Sequence, residues 1–181
     1  MNCVDYIVEL FETRGDAEYL GEPVSQKEHA LQCADLARRD GAPDALIAAA
    51  LLHDIGHLLP NNDSAQPEVD PMHEEKASAW LQSYFDRDVT EPIRLHVIAK
   101  RYLCTIQPSY FKRLSQASVE SLALQGGPLS SDEAKAFEKD AYFDAALRVR
   151  RWDEAAKEPR RVVPDLKTYL PMLHGLHRAV T

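Results

Sequence analysis

Residues 44–59 read DALIAAALLHDIGHLL. From Ala45 to Leu52 every side chain is apolar. Such a run predicts a helix buried on all sides, without a wet face. Asp44 is expected to cap it. Directly behind the last leucine stand His53 and Asp54, then His57 after Ile55 and Gly56. A carboxylate buried without a partner is very costly, so a core that holds one needs a reason. A metal cation is the most economical reason. His53 and His57 are four residues apart and are expected on one helix face, with Asp54 projecting beside them. The plainer alternative is a buried Asp–His hydrogen-bonded pair, which the spacing and setting disfavour.

Helical signals continue on both sides. Val4, Ile7, Val8 and Phe11 recur at helical spacing, and Gly15 stops that helix. The stretch DAEYLGEP (16–23) reads as a loop broken by Gly21 and Pro23. Ser25 is a cap with Glu28 as its capping-box partner, opening a helix over about 26–39 with Ala30, Cys33, Ala34 and Ala37 inward. A polar loop bounded by Pro60 and Pro71 precedes a helix over 72–84. Thr90 is expected to cap the next one, with Pro92 in its first turn. One or two short helices follow over 110–124, ended by Gly126-Gly127-Pro128. Further helices are expected over 132–137 and 143–157, and a tail from about 160 with a final short helix. No alternating strand pattern and no repeat is present, so the expected class is all-α.

The bulk numbers exclude several functions. A chain of 181 residues with 45% hydrophobic content supports one domain with a real core. A net charge of -8 argues against nucleic acid and anionic membrane surfaces, which need clustered Lys and Arg. It leaves room for a small anion, because a few buried cations and a metal reverse the local field. Cys3, Cys33 and Cys104 are scattered, with no C-x-x-C, and read as reduced thiols of a cytoplasmic protein. MNCVDYIVELFE has no basic start and no long apolar run, so no signal peptide is expected. No stretch is long enough to span a membrane.

Other ionisable residues sit in suggestive places. His29 lies on the preceding helix, His73 opens the helix after the polar loop, and His96 lies among apolar neighbours in IRLHVIAK. Asp153 follows Arg150, Arg151 and Trp152. Each is a candidate ligand, and spacing alone does not assemble them. Lys100 is one helical turn after His96, and Arg150 one turn before Asp153, so each shares a face with its neighbour. Cations aimed at a metal cavity favour an anionic substrate. The plain reading of either one alone is a snorkelling Lys and a surface Arg. His174 and His177 lie in the tail and are read as non-ligands. Trp80, Tyr102 and Trp152 read as core aromatics. Asp63 reads as a solvated loop residue.

The order His29, His53-Asp54, Asp153 matches the metal signature of the HD superfamily, most of whose members look like phosphohydrolases. His73 and His96 match the subset with a dinuclear site. Five motifs carry a closer resemblance: EYLGEPVSQKEHALQ within 18–32, LLHDIGH (51–57), HVIAKRYL (96–103), LSQASVESLALQGGP (114–128) and LRVRRWDEAAK (147–157). Together they make the chain resemble the HD-domain mixed-valent di-iron oxygenases, nearly end to end. That family includes myo-inositol oxygenase and, much closer to this sequence, 2-amino-1-hydroxyethylphosphonate dioxygenase and its N-trimethylated-substrate relative. The loop between His57 and His73 departs most from the family.

The resemblance implies one HD-domain helical bundle over residues 1–181, with a lid loop at about 15–25 and a variable loop at about 60–71. It implies two iron ions, Fe(II)/Fe(III), with Asp54 bridging. His29, His53 and Asp153 would hold one iron, and His73 and His96 the other. It implies that Lys100, Ser118, Ser121, Arg150 and His57 contact a phosphonate, and that Gln26 joins the substrate contacts. Tyr19 would act as a stand-in ligand before substrate arrives, and Glu22 as a partner for the substrate's ammonium. Gln125-Gly126-Gly127 is expected either to let backbone approach the cavity or simply to end a helix. The implied reaction takes O2 and a 1-hydroxy-2-(amino or trimethylamino)ethylphosphonate to glycine or glycine betaine plus phosphate. A metal-dependent phosphohydrolase and a nucleotide-binding HD domain are the alternatives.

Overall fold

A computed structural model describes residues 2–60 and 72–178. Within them the chain forms ten α-helices and two short 3-10 turns. The helices are α1 (Cys3–Arg14), α2 (Gln26–Arg39), α3 (Asp44–Leu52), α4 (His73–Leu81), α5 (Arg87–Ile106), α6 (Pro108–Phe111), α7 (Gln116–Leu124), α8 (Ser131–Phe137), α9 (Phe143–Ala155) and α10 (Leu170–Leu176). The described residues contain no strand, only an isolated bridge between Glu18 and Ser25. No described helix is long and apolar enough to cross a membrane. The loop expected around 60–71, with Asp63, lies outside the described residues beyond Pro60.

Local chemistry sets the helix ends. Ser25 Oγ accepts from the Glu28 amide while Glu28 reaches back to the Ser25 amide, a complete capping box. Replacing such a cap by Ala costs about 1 kcal/mol. Two expected starts differ. α3 begins at Asp44 itself, behind Pro43, and no side chain caps it. α5 begins three residues before Thr90, behind Asp86, so Pro92 lies inside the helix. Pro92 is buried within that helix.

α5 is the hub. It packs against α3, α4, α8 and α9, while α2 packs on α3 and α9. Leu46 to Leu52 of α3 are all buried, as an all-round apolar helix requires. One apolar cluster joins α1, α2, α3 and the C-terminal helices through Ile7, Phe11, Ala34, Leu51, Phe85 and Leu173. A second joins α5 to α7, α8 and α9 through Ala99, Leu103, Leu122, Phe137 and Ala146. This packing points His29 of α2, His96 of α5 and Asp153 of α9 at the end of α3, where His53 and Asp54 stand.

Candidate metal centre and anion pocket

α3 stops at Leu52, and Ile55–His57 form a 3-10 turn. His53 and His57 therefore do not share an α-helical face. The break lets Asp54 and His57 face the same cavity. Gly56 makes the turn fit: a Cβ there would lie 2.0 Å from the His73 carbonyl oxygen. Only the missing side chain allows the start of α4 to press so closely against the HD turn.

The histidine tautomers follow from their outer contacts. His29 Nδ1 donates to the Ala156 carbonyl at 2.9 Å, His53 Nδ1 to Ala50 at 2.9 Å and His96 Nδ1 to Ile93 at 2.7 Å. A carbonyl only accepts, so each Nδ1 carries a proton and each Nε2 points inward as a potential ligand; burial opposes charge on His53, but Asp54 and Asp153 raise it to about 9, so a metal binding there displaces a proton from its Nε2. This is the usual arrangement of metal-ligating histidines. His29 Nε2 and His53 Nε2 lie 3.2 Å apart, and so do His73 Nε2 and His96 Nε2. Two lone pairs facing at that distance repel unless a proton or a metal cation lies between them. Two nitrogens bound to one metal at about 2.0–2.1 Å stand about 3 Å apart.

Asp54 connects the two pairs. Its Oδ2 lies 3.3 Å from His53 Nε2 and 3.7 Å from His29 Nε2, and its Oδ1 lies 3.0 Å from His73 Nε2 and 3.4 Å from His96 Nε2. Asp153 Oδ1 is 3.4 Å from His29 Nε2. Asp54 Oδ1 and Asp153 Oδ1 are fully shielded yet accept no hydrogen bond among the described residues. Unsatisfied carboxylate oxygens facing inward ring nitrogens fit a metal site. The charges agree. Burial opposes ionisation of both carboxylates, yet neighbouring His53 and His73 hold Asp54, and Arg150 holds Asp153, well below the usual carboxylate range. Burial lowers His96 to about 4, so it is neutral and able to ligate.

Cys33, one turn after His29, brings its Sγ to 3.7 Å from His29 Nε2. Burial raises its pKa well above the usual thiol value, as expected of an inert buried thiol. All three cysteines are free and buried.

A cavity of about 40 Å³ opens beside this cluster. It is lined by Tyr19, Leu20, Asp54, His57, His73 and His96, and further by Val97, Lys100, Ala117, Ser118, Ser121, Gln125, Arg150, Asp153 and Lys157. Thus His57, Lys100, Ser118, Ser121 and Arg150 come together as expected. Glu22 and Gln26 are buried but do not line the cavity. Gln125 lines it, whereas Gly126 and Gly127, with φ of 93° and 72°, act as the turn that ends α7. His57 stacks on the His73 ring, centroids 4.1 Å apart. His177 packs near Tyr84 and Phe85, away from the cluster.

The cations differ in availability. Arg150 is pinned on three sides, by the Tyr110 hydroxyl at 2.6 Å and by Asp153 and Glu154. Its charge is largely answered by protein carboxylates. Lys100 donates to Ser121 Oγ at 2.9 Å and has no carboxylate within ion-pair distance among the described residues. Burial, with Arg150 nearby, pushes its pKa down to about 7. Among the described residues, Lys100 thus reaches the cavity with no carboxylate to balance it.

Tyr19 closes the cavity. Its hydroxyl donates to Asp54 Oδ2 at 2.7 Å and its ring stacks on His29 at 3.9 Å. It sits in a tight turn in which Leu20 and Gly21 have φ of 47° and 78° and the Glu22 amide bonds back to the Tyr19 carbonyl at 2.8 Å. A leucine in the left-handed region costs roughly 1–2 kcal/mol. The turn is held from outside, because Glu22 accepts from Lys157 at 2.9 Å and from Ser115. Lys157 and Ser115 were not singled out by sequence reasoning. The available signal was spacing: Lys157 is one turn beyond Asp153, as Lys100 is beyond His96.

The HD-domain family model matches residues 27–121. The chain belongs to the HD-domain family. That match spans five of the six clustered residues and ends before Asp153. Two characterised relatives extend it over nearly the whole chain. The [1-hydroxy-2-(trimethylamino)ethyl]phosphonate dioxygenase (glycine-betaine-forming) of Leisingera caerulea is 44% identical over 177 residues, covering 97% of this chain and 90% of that one. The hydroxymethylphosphonate dioxygenase of Gimesia maris is 44% identical over 169 residues, covering 92% and 84%. This HD-domain protein thus belongs among the family's dioxygenases, as the five sequence motifs led one to expect.

Proposed function

We propose that the protein is an O2-dependent oxygenase that cleaves the carbon–phosphorus bond of a 1-hydroxy-2-(amino or trimethylamino)ethylphosphonate. The products are glycine or glycine betaine and phosphate. The observation that carries this reading is the pair of inward-facing Nε2 couples on either side of Asp54, beside a buried lysine with no carboxylate partner among the described residues. Cluster and lysine together suit a metal pair and an anion in adjacent space. Imidazole with carboxylate suits iron, among other metals, and a dioxygenase needs a centre that activates O2, which iron supplies.

In this reading His29, His53 and Asp153 would hold one iron and His73 and His96 the other, with Asp54 within reach of both. An Fe(II)/Fe(III) pair bound there would supply O2 activation and the electron exchange. Four neutral imidazoles and two carboxylates leave such a pair with net positive charge, so the pocket attracts a phosphonate despite the acidic chain. Lys100 binds the phosphonate, assisted by Ser118, Ser121 and His57. Arg150 fixes Asp153 and keeps it ionised. The cavity holds only a few waters, so the Tyr19–Leu20 turn has to move for substrate to enter. Tyr19 then gives up its bond to Asp54, and the returning turn excludes water. The stoichiometry needs no outside reductant: a hydroxyphosphonate and one O2 give a carboxylate, phosphate and a proton, with the C–P bond broken and both oxygen atoms retained in products.

The test is phosphate release by iron-loaded protein from the hydroxyphosphonate, with and without O2. Release that requires O2, one O2 per phosphate, is expected. Phosphate released from a phosphomonoester in the absence of O2 would overturn the reading in favour of hydrolysis.

A further inference from the structure

α5 ends at Ile106, and the chain turns at Gln107 before Pro108 opens the single turn α6. A proline cannot extend the helix before it but is well placed to start the next one. α6 carries Tyr110, which is buried. Its ring joins the apolar cluster that holds Leu103, Leu122 and Ala146. Its hydroxyl reaches α9 and accepts from Arg150 Nε at 2.6 Å. Burial pushes the phenol up to about 12 against the pull of Arg150, so it stays neutral. Tyr110 thus orients the guanidinium without adding a third carboxylate-like charge to it.

Arg150 meets Asp153 Oδ2 through Nη1 and Glu154 Oε2 through Nη2. Both partners lie on its own helix, so those two bonds alone leave the side chain anchored to α9 only. Among the described residues, Tyr110 is the hydrogen-bond partner of Arg150 that comes from another element. A bond from each nitrogen of a planar fork fixes both its position and its plane. The consequence falls on Asp153. Arg150 occupies its Oδ2, and its Oδ1 is left without a hydrogen bond, 3.4 Å from His29 Nε2. Without the Tyr110 hydroxyl, Arg150 Nε would be a buried donor with no acceptor, which is costly enough to make the guanidinium reorient. We propose that Tyr110 is a positioning residue of the metal centre. Acting through Arg150, it selects which oxygen of Asp153 faces His29 and His53, and so sets the metal affinity of that half of the cluster. This rests on the metal reading above.

The test withdraws iron from the full-length, ferrous-loaded protein with a graded chelator under anaerobic conditions and counts iron per chain by elemental analysis. Tyr110→Phe keeps the buried ring and removes only the hydroxyl. It should release one of two ions at roughly tenfold lower chelator strength than wild type, as expected when an outer contact of a ligand is lost. The other ion should leave as it does in wild type. Arg150→Lys has no fork for Tyr110 to hold, so adding Tyr110→Phe to it should weaken binding no further. Release unchanged in Tyr110→Phe would overturn the proposal. Equal weakening of both ions, or a full further loss in the double variant, would make Tyr110 a support of the fold and overturn it too. If wild type holds a single ion, the two-metal reading fails on its own, and the same comparison on that ion decides this proposal: weakening in Tyr110→Phe upholds it and unchanged release overturns it. Wild-type protein that holds no iron would overturn both.

Discussion

Lys100 is 4% exposed, and its Nζ donates to the Ser121 hydroxyl, with no carboxylate partner among the described residues. Burial and the nearby Arg150 bring its pKa down to about 7, so it is charged below that pH and neutral above it. If Lys100 receives the phosphonate, kcat/KM falls as pH rises through the region near 7. Lys100→Arg stays charged, so its fall should move to higher pH. The substrate's own titration is common to both enzymes and cancels in the comparison. Coincident profiles would remove Lys100 from binding. His96 makes a different prediction. Burial keeps it neutral, and its Nε2 lies 3.4 Å from Asp54 Oδ1. His96→Ala should reduce bound metal from two ions per chain to one and abolish O2-dependent turnover, measured by elemental analysis and phosphate release. A variant that keeps both ions would show that His96 is not a ligand.

At the scale of elements, the contact between the HD turn and α4 governs the second half of the cluster. Gly56→Ala would place a methyl 2.0 Å from the His73 carbonyl. Backbone has to give way, at a cost of about 1–3 kcal/mol, and His73 moves with it. The expected outcome is a lower melting temperature together with selective loss of one metal ion. Loss of stability with full metal content would separate the two effects and contradict this role for Gly56. The same region shows what was legible in the sequence. The apolar run before His53 reveals α3, because burial on every side leaves a pattern no surface helix has. Ser25 and Glu28 announce the start of α2 chemically. The 3-10 turn at Ile55–His57 leaves no such mark, since it follows from packing against α4, so His53 and His57 were expected on a shared face that does not exist. Thr90 resembles a cap as well as Asp86 does, and only the fold of α5 decides between them. Lys100 and Arg150 were equally plausible cations by spacing. Arg150 has Asp153 and Glu154 one turn along its own helix, which spacing does reveal, whereas its bond to the Tyr110 hydroxyl comes only from the fold.

At the scale of the molecule, five elements converge to place six potential ligands at one point. α2, α5 and α9 each contribute one, α4 contributes His73, and the end of α3 contributes His53 and Asp54. The arrangement gathers imidazole nitrogens and carboxylate oxygens at one point, where protons balance them until a metal displaces those protons. Metal binding should therefore report as stability. At a free metal concentration of about 100 Kd the gain is about 2.7 kcal/mol, and each kcal/mol moves the melting point of a chain this size by roughly 2–4 °C. A chelated sample should melt several degrees below a metal-loaded one, and identical melting curves would count against a metal bound only in the fold. The most direct test of the central claim, two metals sharing Asp54, is electron paramagnetic resonance of the iron-loaded protein after one oxidising equivalent per two irons, with substrate added anaerobically. The account predicts the signal of a spin-coupled Fe(II)/Fe(III) pair, lost in Asp54→Asn. An isolated high-spin ferric signal with one iron per chain would contradict it.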